Sequence, residues 1–286
     1  MNSKLYLPED PVRPGIQYKT STFPAGEGYV KVLTPGMLPE TVDIHYRYAG
    51  DHSLIMLFNF TNALRLKGVR KINLFSPYFP GIRSDRVTKK NEGEALSCQV
   101  YVQLVNSQNY DQVVIFDPHN ETAINELKNR RVVDNHHFVN LALNQIVEDY
   151  VVVSPDAGAA KKIGDLLMEN NIKKPLIHAD KLRDADGRLI PGKSTVHATK
   201  EQIEGKTCVI VDDICSRGGT FLAIVKALQE LGAARVILVV SHYEGTADEA
   251  YLKEQGIDMV YTTTSLINAR PGGGFVNTTD IISLTC

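Results

Sequence analysis

Five short apolar runs, KINLF (71–75), QVVIF (112–116), YVVVS (150–154), KTCVIVD (206–212) and ARVILVV (234–240), constrain this chain more than any other feature. They are rich in β-branched residues and apolar on both faces, which is the pattern of strands covered on two sides. Between them lie EALSCQVYVQLVNSQ (94–108), HFVNLALNQIVED (137–149), GAAKKIGDLLMENN (158–171) and TFLAIVKALQELG (220–232), whose apolar residues recur at helical spacing. Strands separated by helices pair in parallel through right-handed crossovers, so the pattern predicts an α/β protein of doubly wound parallel sheets. It occurs once up to about Glu148 and again from Tyr150. This predicts two domains, 1–147 and 148–286, with a boundary near 146–150 and no low-complexity linker.

Bulk properties narrow the function classes. Thirty-one basic and 33 acidic side chains leave a net charge of -2, so no whole-molecule field draws the chain to nucleic acid, and any anion site must be local. No apolar run approaches the roughly 20 residues of a membrane span, and the start MNSKLYLPEDP lacks a signal-peptide core. A cytoplasmic protein without membrane or nucleic-acid partners is expected. Cys98, Cys208, Cys215 and Cys286 show no C-x-x-C spacing, which predicts reduced thiols.

The chemistry concentrates after the fourth apolar run. VIVDD (209–213) reads as a strand ending in Asp212 and Asp213, ICSRGGT (214–220) as a loop, and the next segment as a helix. Gly218, Gly219 and Thr220 would present bare backbone N–H groups at the helix start, a ready anion site. Carboxylates beside a bound phosphate would repel it unless they serve another part of the ligand, such as sugar hydroxyls, or act through Mg²⁺. A ribose 5-phosphate group meets both demands. The bland alternative is a capped helix and a plain turn. Further on, DKLRDADGRLIPGKSTVHATK (180–200) has neither period and is rich in charge, Gly and Pro; it reads as a long loop or irregular hairpin of the kind used as a lid. His136-His137 reads as structural or surface, and Gly272-Gly273-Gly274 as a turn.

The apolar-D-D-x-x-x-x-G-G-T pattern resembles the fingerprint of the type I phosphoribosyltransferase fold. Other segments resemble the ribose-phosphate pyrophosphokinases within that superfamily: VVVSPDAGAAKK (151–162), VVIFDPHN (113–120), SPYFPGIRSDR (76–86) and STFPAGE (21–27), in the family's order and covering most of the chain. The resemblance implies two phosphoribosyltransferase-like domains, the first on the ATP side and the second on the ribose-phosphate side. It implies Mg²⁺-dependent transfer of the ATP diphosphate to an anomeric C1 hydroxyl, with release of AMP. In that reading Phe23, Glu27, Arg83, Asp85, Arg86 and His119 bind ATP, with Phe23 and Glu27 serving a neighbouring subunit of a homodimer or larger homo-oligomer. His119 and Asp156 hold Mg²⁺. Asp212, Asp213, Ser216, Arg217, Gly218, Gly219 and Thr220 bind the ribose phosphate. Lys181 and Arg183, within a K-x-R segment, stabilise the transition state, helped by Arg188 and Lys193.

The sequence departs from the family at the acceptor loop, which usually reads D-D-x-x-D-T-A/G-G-T. Ser216 stands where an acid is usual and Arg217 where a threonine is usual. Loss of an acid and gain of a bidentate guanidinium suit a phosphate that continues outward. The acceptor is therefore ribose 5-phosphate, giving phosphoribosyl pyrophosphate, or ADP-ribose, giving a product for NAD rebuilding. SHYEGTADEA (241–250) follows the family only loosely, so no allosteric regulation is expected. The rival readings are a true phosphoribosyltransferase, disfavoured by the ATP-side segments, a non-catalytic regulatory subunit, disfavoured by the retained K-x-R cations, and a nucleic-acid-binding regulator, which a net charge of -2 does not support.

Overall fold

The computed structural model of the 286-residue chain describes residues 3–8, 13–85, 93–183, 189–245, 249–266 and 274–285, with the side chains of 181–183, 189–193 and 220 outside that description. Two compact units divide at Asp134 and Asn135, apart from a few C-terminal residues (265, 266 and 285) that group with the first. The boundary expected near 146–150 falls inside the second unit, because the helix preceding it packs against a strand of that unit.

The first unit runs β1 (Ser3–Leu7), β2 (Tyr18–Thr22), β3 (Gly28–Val32), β4 (Thr41–Tyr46), α1 (Asp51–Leu66), β5 (Lys71–Phe75), α2 (Ser97–Asn106), β6 (Gln112–Phe116), a 3-10 turn (Glu121–Ile124) and β7 (Arg130–Val133). Its sheet has the order β1-β4-β5-β6-β7, every described pair parallel, while β2 and β3 form a separate antiparallel hairpin. Successive crossovers step in one direction across this sheet, so right-handed connections place α1 and α2 on the same face. They are joined at both ends: Tyr101 donates to Asp51 at their starts, and Arg65 donates to the Gln108 and Asn109 carbonyls beyond their ends. The buried stripe of α1, Leu54, Leu57, Phe60 and Leu64, meets Ile44, Ile72 and Leu74 of the sheet in one apolar core.

The second unit comprises α3 (His136–Leu143), β8 (Tyr150–Ser154), α4 (Ala157–Glu169), β9 (Leu176–Arg183), β10 (Leu189–Val196), α5 (Lys200–Ile203), β11 (Thr207–Cys215), α6 (Gly219–Glu230), β12 (Arg235–Tyr243), α7 (Glu249–Glu254), β13 (Met259–Thr263), β14 (Val276–Thr279) and α8 (Ile281–Thr285). The sheet order is β10-β9-β8-β11-β12-β13-β14, parallel except for the β9–β10 pair. The segment without period therefore folds as a hairpin, with its register shifting between Leu189 and Ser194, and β10 lies against α6.

From β8 the chain crosses one way, through α4 to β9. From β11 it crosses the other way, through α6 to β12. Strand order thus reverses between β8 and β11, and α4 and α6 lie on opposite faces. Such a reversal opens a crevice at the carboxyl ends of the two strands, where ligands of doubly wound sheets bind.

Candidate active site

The crevice is built by unequal strand pairing. β11 pairs with β8 only as far as Ile210, opposite Val153, but it stays paired with β12 as far as Cys215, opposite Tyr243. Asp212 and Asp213 lie in this overhang. The strand expected to end at the aspartates in fact continues through Cys215. Extended backbone turns adjacent side chains to opposite faces, yet the pair remains coupled, because the Asp213 N–H donates to Asp212 Oδ1 at 2.9 Å.

Beyond Cys215 the chain turns sharply through Ser216 and Arg217 to Gly218. Gly218 is left-handed (φ 77°) and serves as the N-cap of α6 without any side-chain cap. A Cβ at this glycine would also stand 3.0 Å from Leu252 Cδ2, so both the turn and the close packing require glycine. The first N–H groups of an uncapped 12-residue helix lack intrahelical acceptors and point at the crevice mouth. Gly219 is exposed there, Ser216 is half-buried and Thr220 contributes its backbone. The Arg217 side chain is exposed and finds no hydrogen-bond or ion-pair partner among the described residues.

On the other side of the reversal, Asp156 caps α4 by accepting the Ala159 N–H on Oδ1 at 3.0 Å. This alters the expected role of that turn: the carboxylate takes up one of the donors an incoming anion would use. Burial, then Asp213, and further out Asp156 push Asp212 well above the ordinary carboxylate range. Lys162, the last residue of the segment VVVSPDAGAAKK, was not singled out by motif reading. It is held below the ordinary lysine value by burial, against the opposing pull of Asp213 and Asp212. Its one sequence signal is position: it stands four residues before the buried Leu166, on the inward side of an amphipathic helix, whereas Lys161 is exposed. Cys215, beneath the acids, is pushed up to about 12 by burial and by Asp212 and Glu244. It is a free, buried thiol, as are Cys98 and Cys208; Cys286 lies outside the described residues.

The first unit gathers the expected ATP-side residues around the carboxyl ends of β5 and β6. After β6, Asp117 is buried with φ 42°, a left-handed turn that sends the chain outward to the exposed His119. Asn120, which caps the following 3-10 turn, donates to Asp85 Oδ2 at 2.5 Å and so ties the DPHN segment to the RSDR segment. Arg83 is exposed beside it, and Arg86 lies outside the described residues. Gly81 (φ 71°) makes this loop possible, since a Cβ there would stand 2.9 Å from backbone atoms of Ser97 and Cys98 at the start of α2. Phe23 and Glu27 form the exposed tip of the β2–β3 hairpin, closed by Phe23 N–H to Glu27 carbonyl and by Phe23 packing edge-on to Tyr29.

Lys181 and Arg183 lie in β9, with side chains outside the description, as is the side chain of Lys193; Arg188 lies wholly outside it. Of the residues read as structural, His136 bonds Glu169 at 2.7 Å between α3 and α4. Among the described residues no group of three His, Cys, Asp or Glu is arranged to hold a metal ion, and no helix is long and apolar enough to cross a membrane.

Comparison with known proteins identifies the family and the fold. Residues 122–269, more than half of the chain, match the model of the phosphoribosyl transferase domain. The ribose-phosphate pyrophosphokinase of Thermococcus kodakarensis is 30% identical over 232 residues, covering 79% of this chain and 78% of that protein. That of Saccharolobus solfataricus is 29% identical over 279 residues, covering 95% and 89%. The crystal structure of phosphoribosylpyrophosphate synthetase from Mycobacterium smegmatis superposes with a TM-score of 0.79 at 20% identity, covering 99% of this chain and 96% of that one, and so shares the fold. With the acid pair in the strand overhang and the uncapped glycine turn beside it, the chain belongs to the ribose-phosphate pyrophosphokinase family.

Proposed function

We propose that the chain transfers the diphosphate of ATP to the C1 hydroxyl of a ribose 5-phosphate that carries a further group, with ADP-ribose as acceptor. Family membership makes it an ATP-dependent diphosphotransferase; the acceptor is the open part. Supporting the general reaction is the crevice between β8 and β11, where paired acids meet an uncapped helix start. Asp213 and Asp212 receive the ribose hydroxyls, and the N–H groups of the 218–220 turn receive the 5-phosphate. Supporting the extended acceptor is Arg217: its guanidinium is exposed at the rim, without a partner among the described residues, and able to grip a second phosphate through a bidentate fork. The product, ADP-ribose with a diphosphate leaving group at C1, would be a substrate for nucleophilic displacement by a nicotinamide ring nitrogen.

Of the residues expected to hold Mg²⁺, Asp156 uses Oδ1 for the Ala159 N–H and its other oxygen has no partner among the described residues, and His119 is exposed. Mg²⁺ of this kind needs only one or two protein ligands, its remaining ligands being phosphate oxygens and water. When bound, Mg²⁺ neutralises triphosphate charge. Arg83, with Asp85 tied to Asn120, orients the ATP. Lys181 and Arg183 supply positive charge to the leaving AMP from a hairpin that lies against α6, the helix holding the acceptor phosphate.

Ribose 5-phosphate is the second reading, favoured by the names of the relatives. Steady-state turnover with ATP, Mg²⁺ and each acceptor, reading AMP and the diphosphorylated product by mass, separates the two. The reading predicts a higher kcat/KM for ADP-ribose and a selective loss of it in Arg217→Thr; turnover of ribose 5-phosphate alone would overturn it.

A further inference from the structure

We propose that the cavity between the β2–β3 hairpin and the start of α1 is a binding site for an uncharged heteroaromatic molecule of nucleoside size, separate from the sites for ATP and for the acceptor. The cavity belongs to the first unit alone and encloses about 350 Å³, at the lower end of the range of small-molecule sites. It lies at the carboxyl ends of β1 and β4, on the edge of the sheet, whereas the Arg83 and His119 loops follow β5 and β6.

Each element turns residues inward by its own period. Tyr18, Thr20 and Thr22 share one face of β2, and Met56 and Phe60 stand four apart on α1. Leu7 and Tyr46, paired at the ends of β1 and β4, close the floor. The two tyrosine hydroxyls are engaged within the protein: Tyr18 donates to the Tyr6 carbonyl at 2.8 Å, and Tyr46 bonds Ser53 Oγ at 2.7 Å. What they offer a ligand is therefore ring surface, extended by Phe60, which meets Tyr18 edge-on with centroids 4.6 Å apart. The walls are clamped together. Asn59 Nδ2 donates to the Gly28 carbonyl of β3 at 3.2 Å, and a Cβ at Gly28 would stand only 2.1 Å from Met56 Sδ, so glycine lets the thioether lie under the hairpin.

The lining selects the class of occupant. Among the described residues it contains no Asp, Glu, Lys or Arg, and the carboxylate of Asp51, at the helix start, is taken up by Tyr48 and by Tyr101 of α2. A phosphate or carboxylate finds no counter-ion here, and burying one unpaired is costly. The aromatic and thioether floor alone would suit a hydrocarbon, but the mouth argues for polar edges on the ligand. There the hydroxyls of Thr20, Ser21 and Thr22 and the imidazole of His52 are exposed and have no side-chain partner among the described residues. These groups both donate and accept. A flat ring system that packs on the aromatic floor, with ring nitrogens and sugar hydroxyls toward the mouth, uses both halves of the lining.

Adenosine is the probe. It is titrated calorimetrically into the full-length protein with Mg²⁺, a non-hydrolysable ATP analogue and either acceptor at saturation, so that the substrate sites are already filled. One saturable site per chain is expected, with AMP weaker on the order of 10-fold because its phosphate meets no cation. Thr20→Trp sets an indole across the mouth from an exposed strand position, where tryptophan is well tolerated. In that variant the Kd for adenosine is expected to rise on the order of 100-fold, with melting temperature and ATP turnover near wild type. A second measurement needs no variant: in crystals soaked with 8-bromoadenosine under the same conditions, the bromine is expected between β2 and α1. Absence of saturable binding with the substrate sites filled, a Kd unchanged in Thr20→Trp, AMP binding as tightly as adenosine, or a bromine located elsewhere would each overturn the proposal.

Discussion

Asp212 concentrates the cost of this site in one side chain. A carboxyl whose folded pKa is raised contributes stability that is present in full below the ordinary value of 3.8 and is lost as pH rises through its folded pKa, because the buried group must then ionise. Asp212→Asn removes that loss. The substrate-free variant is therefore expected to melt above the wild type at pH 8, by roughly 2–4 °C per kcal/mol relieved, with the gap closing toward pH 4. Its turnover is expected to fall on the order of 100-fold, as when a preorganised hydrogen-bonding group is removed. Thermal melts across pH, with and without acceptor, check both parts; a wild type equally stable at pH 4 and 8, with no gain in the variant, would contradict the assigned cause. Asp212, Asp213, Gly218 and Gly219 were legible in the sequence because carboxylates and glycines interrupt an apolar run at fixed spacing. Lys162 was not, since only helix rotation distinguishes it from Lys161. Asn120 was likewise missed, because its bond to Asp85 joins segments 35 residues apart.

At the scale of elements, the runs that fixed the architecture were those buried on both faces: β5, β6 and β8 begin and end where the sequence predicts, and β11 and β12 extend by three residues. The elements that were missed have physical reasons. α1 contains the unbroken run LIMLF (54–58), which hides its period. β13 is buried although rich in threonine, with Thr263 Oγ1 donating to the Ser241 carbonyl. The β9–β10 hairpin, one of the two readings the sequence left open for its segment, is polar because it is an edge pair, so its alternation carries little apolar signal. Two substitutions test what these elements do. Gly218→Ala forces a side chain into a left-handed turn against Leu252, at a cost of about 1–3 kcal/mol, and is expected to raise the acceptor KM while leaving the ATP KM near wild type. Lys181→Ala is expected to lower kcat far more than it raises either KM, because the cation acts on charge that develops during transfer. A lysine used only for binding would give the opposite split in single-turnover and steady-state measurements.

For the molecule as a whole, a net charge of -2 leaves anion binding to local devices, and the proposed function places one in each unit: the β8–β11 crevice in the second and the Arg83–His119 loops in the first. The Phe23 hairpin tip, with Phe23 53% exposed, is the apolar projection that the family reading assigns to a neighbour's ATP site. That assignment predicts complementation: Phe23→Ala and Asp213→Asn homo-oligomers, each impaired, recover activity when dissociated and reassembled together, and fail to do so if every subunit works alone. The most direct test of the account is a crystal structure of the enzyme with ADP-ribose and a non-hydrolysable ATP analogue. It should show the acceptor ribose hydroxyls on Asp212 and Asp213, the adjoining phosphate on the N–H groups of residues 218–220, and Arg217 on the outer phosphate. A ribose bound elsewhere, with the glycine turn empty and the aspartates facing water, would contradict it.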